Sequence, residues 1–355
     1  MAFTHAWRRL HLPFIAIIGL LAGSSPLVAD LVWEPATGWR VEGGVLANFV
    51  ENDDSRGALD HMNKARAAEE AGDDSAAIKR YKIVAKDYAS SVFAAEANFR
   101  LGKLWTEGRR FYKAFDALQV IVDKHPNYER FTETIGAQYR IATALVNGER
   151  NRIWGLIPGF KNRGQGIEYL ETIIRTAPYS DYAPLGLMTI ARAHQRLGQS
   201  DEAIDALDRM VNDYPQSFLA PDAYLNLAQA HSELVQGPQY DQASTQQALT
   251  YYQDFLILFP EDPAAPDAGT GLTDMRTMLA ESKMQMAEFY DKYRSNHTAA
   301  RVFYNEAITI FPDSPVAERA RTRLARIDAI LSGEAPAEPS PAKPAPPAKK
   351  RFWLF

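Results

Sequence analysis

Apolar residues recur at helical spacing through most of the chain, and the pattern is clearest in residues 187–215. Leu187 and Ile190 lie on one face of a first predicted helix, which ends at Gly198. A second helix follows an acidic first turn, carries small and bulky apolar residues on one face, and ends before Pro215. The pattern therefore predicts two short antiparallel helices, which cannot bury their apolar faces without neighbours.

The same two-helix pattern recurs in register with a series of prolines. A small residue lies twelve positions before each proline, and a bulky residue lies eight positions before it. The prolines are Pro126, Pro178, Pro215, Pro260 and Pro312; the small residues are Ala114, Gly166, Ala203, Ala248 and Ala300; the bulky residues are Leu118, Leu170, Leu207, Tyr252 and Tyr304. An earlier copy has Ala77 and Tyr81 at the matching positions. This is the tetratricopeptide (TPR) pattern. It predicts an all-α fold, a TPR-type α-solenoid of about six helix-turn-helix repeats.

Composition divides the chain into four predicted segments. Residues 1–29 have a basic start, an apolar stretch and a small-residue cleavage site, which predicts a signal peptide, with an uncleaved membrane anchor as the alternative. Residues 30–55 form an extended leader that packs on the first repeat through its tryptophans or takes part in binding. Residues 56–330 form the solenoid. Residues 331–355 form a disordered Pro/Ala/Lys-rich tail that ends in KKRFWLF.

The chemistry-bearing residues favour a binding scaffold over an enzyme. The net charge is a mild -5 and the repeats carry no strongly basic patch, which argues against nucleic acid as a partner. The sequence has no cysteine, no phosphate-binding loop and no hydrolase motif. His194 and His231 occupy the same position on successive first helices, where a structural role is expected. We predict no catalytic residues, no cofactor and no metal, and a periplasmic location in the cell envelope.

Two short segments carry candidate partner-binding residues. An insertion in the third repeat contains Trp154 and Phe160 between basic residues, which is typical of an anchor for a partner or a membrane surface. The preferred interpretation, however, is that these aromatic rings fold back on the neighbouring repeat. At the C-terminal tip, three bases precede Phe352, Trp353 and Phe355. These residues would touch an anionic membrane, serve as a peptide ligand for a partner groove, or have no binding role.

The last repeats resemble a known family. Residues 279–315 combine a long first helix, predicted from about Leu272 to Tyr293, with AEFY at 287–290 and FPDS at 311–314. A lengthened turn precedes residues 241–263. These features resemble BamD, the TPR subunit of the machinery that inserts β-barrel proteins into the bacterial outer membrane. The resemblance covers residues 182–330 best.

The resemblance implies a non-enzymatic periplasmic scaffold that assists the assembly and insertion of outer-membrane β-barrel proteins. In the family, the C-terminal repeats hold the barrel-forming subunit, and the N-terminal repeats are implicated in receiving unfolded outer-membrane proteins; both are the expected partners. Arg301 lies in the region that would contact the subunit, although the preferred interpretation is that it is an ordinary exposed arginine. Family members typically carry lipid on an N-terminal cysteine, which this sequence lacks. The alternative function is a periplasmic TPR adaptor for cell-wall or division machinery.

Overall fold

The computed structural model describes residues 30–34, 37–42, 53–153, 156–235, 237–238 and 242–334. They group into two compact units, one up to Phe131 and one from Thr132. None of the helices in this part of the chain is both long and apolar enough to cross a bilayer. The elements, in chain order, are β1 (Asp30–Glu34), β2 (Gly38–Glu42), α1 (Asp53–Glu70), α2 (Asp74–Asp87), α3 (Ala94–Glu107), α4 (Phe111–Lys124), α5 (Phe131–Val146), β3 (Arg150–Ile153), β4 (Ile157–Lys161), α6 (Arg163–Thr176), α7 (Tyr182–Leu197), α8 (Ser200–Asp213), α9 (Ala220–Leu234), α10 (Gln242–Leu258), α11 (Ala265–Lys292), α12 (His297–Ile310) and α13 (Pro315–Ser332).

The helices pair into hairpins through the small and bulky residues that the repeat pattern selects. At Gly102 on α3, an added Cβ would lie 2.6 Å from Leu118 on α4, so this crossing has no room for a side chain. At Gly166 on α6, it would lie 2.7 Å from the backbone of α5 at Ala142 and Val146. The alanines at the equivalent positions are fully buried, as are their bulky partners or nearly so. The predicted all-α TPR fold is confirmed.

The prolines of the repeat pattern lie just after the ends of the second helices, as the sequence predicts. Helices α4, α6, α8, α10 and α12 each end two residues before the corresponding proline. The residue between helix and proline leaves the helical region; Tyr214, for example, has φ -130° and ψ 50°. This departure is expected because the proline ring clashes with a helical residue in front of it. Proline therefore sets the end of the second helix in these hairpins.

The long helix α11 begins earlier than the sequence predicts. Its first residue is Ala265 instead of about Leu272, so residues 265–271, which contain one proline and two glycines, form its first two turns. Pro266 is tolerated there because the first turn of a helix has no partner for the N–H that proline lacks. At Gly271, an added Cβ would lie 2.4 Å from the ring of Tyr252, so glycine allows α11 to approach α10 closely. The prediction missed this because it treated both residues as breakers.

Two antiparallel β-hairpins, β1–β2 and β3–β4, accompany the helices, and the sequence analysis predicted neither. The first lies on the helices of its own unit. The backbone N–H of Trp39 donates to Asn63 Oδ1 on α1 at 2.7 Å, and the Trp39 ring is almost fully buried. The guanidinium groups of Arg66 and Arg100 lie over the rings of Trp33 and Trp39. Both tryptophans of the leader therefore contact the first two helical hairpins.

The close helix crossing gives a testable prediction at Gly166. We expect Gly166→Ala to lower the free energy of unfolding by about 1–3 kcal/mol, because the new methyl group meets backbone atoms that cannot move aside. Gly269→Ala on α11 is the matched control, since nothing lies within 4 Å of its added Cβ. This control should gain roughly 0.5–1 kcal/mol from reduced chain entropy. Urea unfolding followed by circular dichroism measures both, and equal effects would contradict the described crossing.

Candidate interaction surfaces

A buried carboxylate holds the last helix of the second unit to the long helix. The side chain of Asp291, near the end of α11, is 1% exposed. Arg326 on α13 places Nη2 3.2 Å and 3.0 Å from its two oxygens, and His297 Nδ1 on α12 lies 3.3 Å away. Burial, and then the charges of Asp291 and Glu288, raise the pKa of Tyr304 to about 12, so this hydroxyl stays neutral at physiological pH. Three helices therefore meet at one carboxylate.

A shallow groove of about 580 Å³ runs between α10, α11 and α12. The ion pair between Lys283 and Glu306, 2.8 Å long, crosses it, and the Lys283 ammonium group also lies 5.8 Å from the centre of the Phe303 ring. Apolar side chains surround this pair, and Val302 among them is about half exposed. The other residues that line the groove include Gln246, Leu279, Asn305 and Ile310. Mixed apolar and charged lining of this kind suits contact with a protein surface.

Arg301, a candidate from the sequence, lies next to Val302 on α12. Its Nε is 2.9 Å from Asp328 Oδ1 on α13, and both side chains are about half exposed. Exposed pairs of this type contribute little stability. The structure thus places Arg301 beside the groove, with its charge directed to α13.

The insertion of the third repeat forms the β3–β4 hairpin. Ile153 pairs with Ile157, and Arg150 pairs with Lys161 at the other end of the two strands. Phe160 is 92% exposed and Leu156 at the turn is 84% exposed. The expectation that the aromatic rings fold back on a neighbouring repeat is therefore wrong for Phe160. Trp154 lies outside the described residues, as do Phe352, Trp353 and Phe355 at the C-terminal tip.

Sequence reasoning missed a hollow of about 820 Å³ at the turns that follow α6 and α8. Tyr179 and Phe218 project there with most of their surface exposed, beside Pro178 and Pro215. The Tyr214 hydroxyl donates to the Pro178 carbonyl at 2.9 Å and links the two turns. Burial, and then the charge of Asp213, raise the pKa of Tyr214 above its ordinary value. The signal available in the sequence is an aromatic residue within three positions after Pro178 and after Pro215.

The two histidines at equivalent repeat positions lie in different surroundings. His231 is buried and stacks on the Tyr251 ring at 5.6 Å with an interplanar angle of 10°. His194 is partly exposed, and its Nδ1 lies 2.9 Å from Gln199 Oε1. Within the described ranges, no group of three or more His, Cys, Asp or Glu side chains is arranged to hold a metal ion.

Stacked helical hairpins with mixed apolar and charged surfaces define the class of TPR interaction proteins, and comparison with known families agrees. A tetratricopeptide repeat family matches residues 62–129. A second family, YfiO, described as an outer membrane lipoprotein, matches residues 160–340, just over half of the 355 residues. The chain belongs to this BamD-like YfiO family. Both families are protein-interaction scaffolds.

Comparison with solved structures gives only distant similarities. A TPR repeats protein from Bacteroides fragilis is 13% identical, with 77% of this chain and 98% of that chain covered and a TM-score of 0.36. A thermophilic TPR protein from Thermus thermophilus is 16% identical, with 61% and 99% covered and a TM-score of 0.28. These similarities bear on neither function nor partner. Comparison with curated protein sequences gives no significant match.

Asp291 and Asp328 both form ion pairs between helices at the end of the second unit, but only Asp291 is buried. This difference predicts that the two carboxylates contribute unequally to stability. We expect Asp291→Asn to lower the free energy of unfolding by about 3 kcal/mol, because it removes the charge of a carboxylate that is 1% exposed and so weakens its contacts with Arg326 and His297. Asp328→Asn is the matched control and should cost less than about 1 kcal/mol, because its pair with Arg301 is exposed. Urea unfolding compares the two variants. A larger loss at Asp328 would contradict the anchoring role of Asp291.

Proposed function

We propose that this chain is a non-enzymatic scaffold of the bacterial cell envelope that assists the assembly and insertion of outer-membrane β-barrel proteins. The observation that carries the proposal is the family match, which spans residues 160–340 and therefore all the helices from α6 to α13. The description of that family, outer membrane lipoprotein, supports a periplasmic location next to the outer membrane. The expected partners are the barrel-forming subunit and unfolded outer-membrane proteins.

The groove between α10, α11 and α12 is the surface on which we expect the barrel-forming subunit to bind. It lies inside the matched residues, and its walls belong to helices fixed by the α11–α12–α13 contacts. A partner side chain that displaces water from Val302 and Leu279 would gain apolar burial, while Lys283 and Glu306 would orient a polar neighbour. Arg301 lies beside this groove and is a secondary candidate for contact.

A pull-down of the tagged full-length chain from detergent-solubilised envelopes tests the proposal. We expect a large outer-membrane barrel with periplasmic domains to co-purify. Val302→Glu should weaken this capture by about tenfold or more, because it places an unpaired charge against a partner surface. Ile257→Glu is the matched control: Ile257 is an exposed aliphatic residue on α10 that does not line the groove, so its variant should capture the barrel normally.

One outcome would count against this function, and another would count only against the groove as its binding surface. If only soluble periplasmic or wall-associated proteins co-purify, the alternative function as an adaptor for cell-wall or division machinery replaces it. If the barrel co-purifies equally with both glutamate variants, the scaffold function stands but the groove is not its binding surface. Circular dichroism of both variants shows whether each keeps the helical fold.

A further inference from the structure

The β3–β4 hairpin exposes an apolar tip at its turn. Three large apolar side chains lie there, namely Ile153, which is 44% exposed, Leu156, which is 84% exposed, and Ile157, which is 53% exposed. Phe160 is also exposed, at 92%, but it lies at the other end of β4 beside Lys161. Isolated exposed apolar residues are normal on protein surfaces, but a contiguous group of large ones marks an interaction site.

Basic residues flank this tip on both strands. Arg150, Arg152, Lys161 and Arg163 are all exposed, and within the described ranges none of them forms a salt bridge. Arg150 and Lys161 are direct cross-strand partners. Like charges placed opposite each other destabilise a two-stranded sheet, and an anionic surface against the hairpin would relieve that repulsion. The charge pattern therefore favours an anionic partner.

The arrangement of apolar and basic side chains on the hairpin corresponds to the two layers of a membrane surface, the acyl-chain boundary and the anionic head groups. Apolar and aromatic side chains enter the boundary between head groups and acyl chains, while Lys and Arg remain at the level of anionic head groups. Four or five residues of β-strand span about 13–17 Å. Arg150 and Lys161 lie at the opposite end of the strands from Ile153 and Ile157, so the turn can enter this boundary while these two basic side chains stay outside. A protein groove around the apolar tip would need acidic side chains placed to match each basic residue, whereas an anionic bilayer supplies negative charge over its whole surface.

The hairpin is also an addition to the repeat pattern. It separates α5 from α6, whereas only two residues separate α7 from α8, the equivalent pair of the next hairpin. The YfiO match begins at Phe160, within β4, so β3 and the turn precede the matched residues. The exposed turn is therefore not needed to join the two helices of a repeat.

We propose that the β3–β4 hairpin is a membrane-docking element that inserts Leu156 and Ile157 into the interface of an anionic phospholipid bilayer. Arg150, Arg152, Lys161 and Arg163 bind the phospholipid head groups. This attachment needs no barrel-forming subunit and no covalent lipid. It goes beyond the scaffold function, since it assigns the hairpin a lipid ligand and not a protein one.

The test uses the purified full-length chain and vesicles, without other proteins. Because the sequence has no cysteine, Leu156→Cys can be labelled at one position with an environment-sensitive fluorophore. We expect its emission to shift to the blue with phosphatidylglycerol-containing vesicles and to change little with phosphatidylcholine alone. Tyr179→Cys is the control, since this fully exposed position lies at the turn after α6, away from the hairpin. Its label should not respond.

Co-sedimentation with the same vesicles separates the contribution of the apolar side chains to membrane binding from that of the basic side chains. Leu156→Ser with Ile157→Ser should reduce the partition constant by about tenfold or more, because two large apolar side chains no longer enter the interface. Arg152→Gln with Lys161→Gln should reduce it by roughly tenfold on anionic vesicles and weaken its dependence on salt, because two of the four basic side chains are neutral in this variant. All four side chains are exposed, so thermal unfolding midpoints should stay unchanged.

Deletion of residues 349–355 shows whether membrane binding depends on the hairpin or on the basic, aromatic residues at the C-terminal end of the chain. The blue shift at position 156 should survive this deletion. The proposal is overturned if the unmodified chain fails to bind anionic vesicles. It is equally overturned if binding survives the double serine change, or if the protein sediments while the label at position 156 keeps its aqueous emission. A failed barrel pull-down would leave these results unaffected, so the two proposals fail separately.

Discussion

The stacked helices depend on one steric constraint, the close approach of paired helices at a position that holds only glycine or alanine. At Gly102 and Gly166, the partner helix occupies the space where a side chain would begin. This approach lets one bulky residue, Leu118 or its equivalents, fill the space between two helices and stay buried. Each hairpin buries part of its apolar surface internally and the rest against its neighbours, so the stack is stable only as a series.

This constraint also explains which features the sequence predicts. Small and bulky residues four positions apart, followed by proline, encode local helix geometry, and local geometry can be read without knowing the tertiary structure. The start of α11 was mispredicted because Gly271 has a tertiary role, allowing the approach of Tyr252, which a residue-by-residue interpretation treats as a helix break. The two β-hairpins were missed because strands of four or five residues have too few positions for an alternating pattern to stand out.

The interaction surfaces were less predictable than the fold. Sequence identified Phe160 as a candidate but could not decide between an exposed ring and one folded against a repeat, because that choice depends on where the insertion leaves the helices. The hollow with Tyr179 and Phe218 arises where two consecutive turns come together. Arg301 is beside a groove, yet its charge is directed to Asp328. The groove joins side chains from α10, α11 and α12, and such combinations follow from stacking rather than from any one motif.

The length of α11 has a consequence for how the helices of the second unit unfold locally. Most other helices of this unit have 14 to 18 residues, whereas α11 has 28 and contacts α9, α10, α12 and α13. In an ordinary repeat array, each module unfolds with help only from its nearest neighbours. A helix shared by four others couples their local unfolding, so α9 to α13 form one cooperative foldon. Amide hydrogen exchange in these helices would then report a single opening free energy, and a ligand bound anywhere on them would protect all of them together.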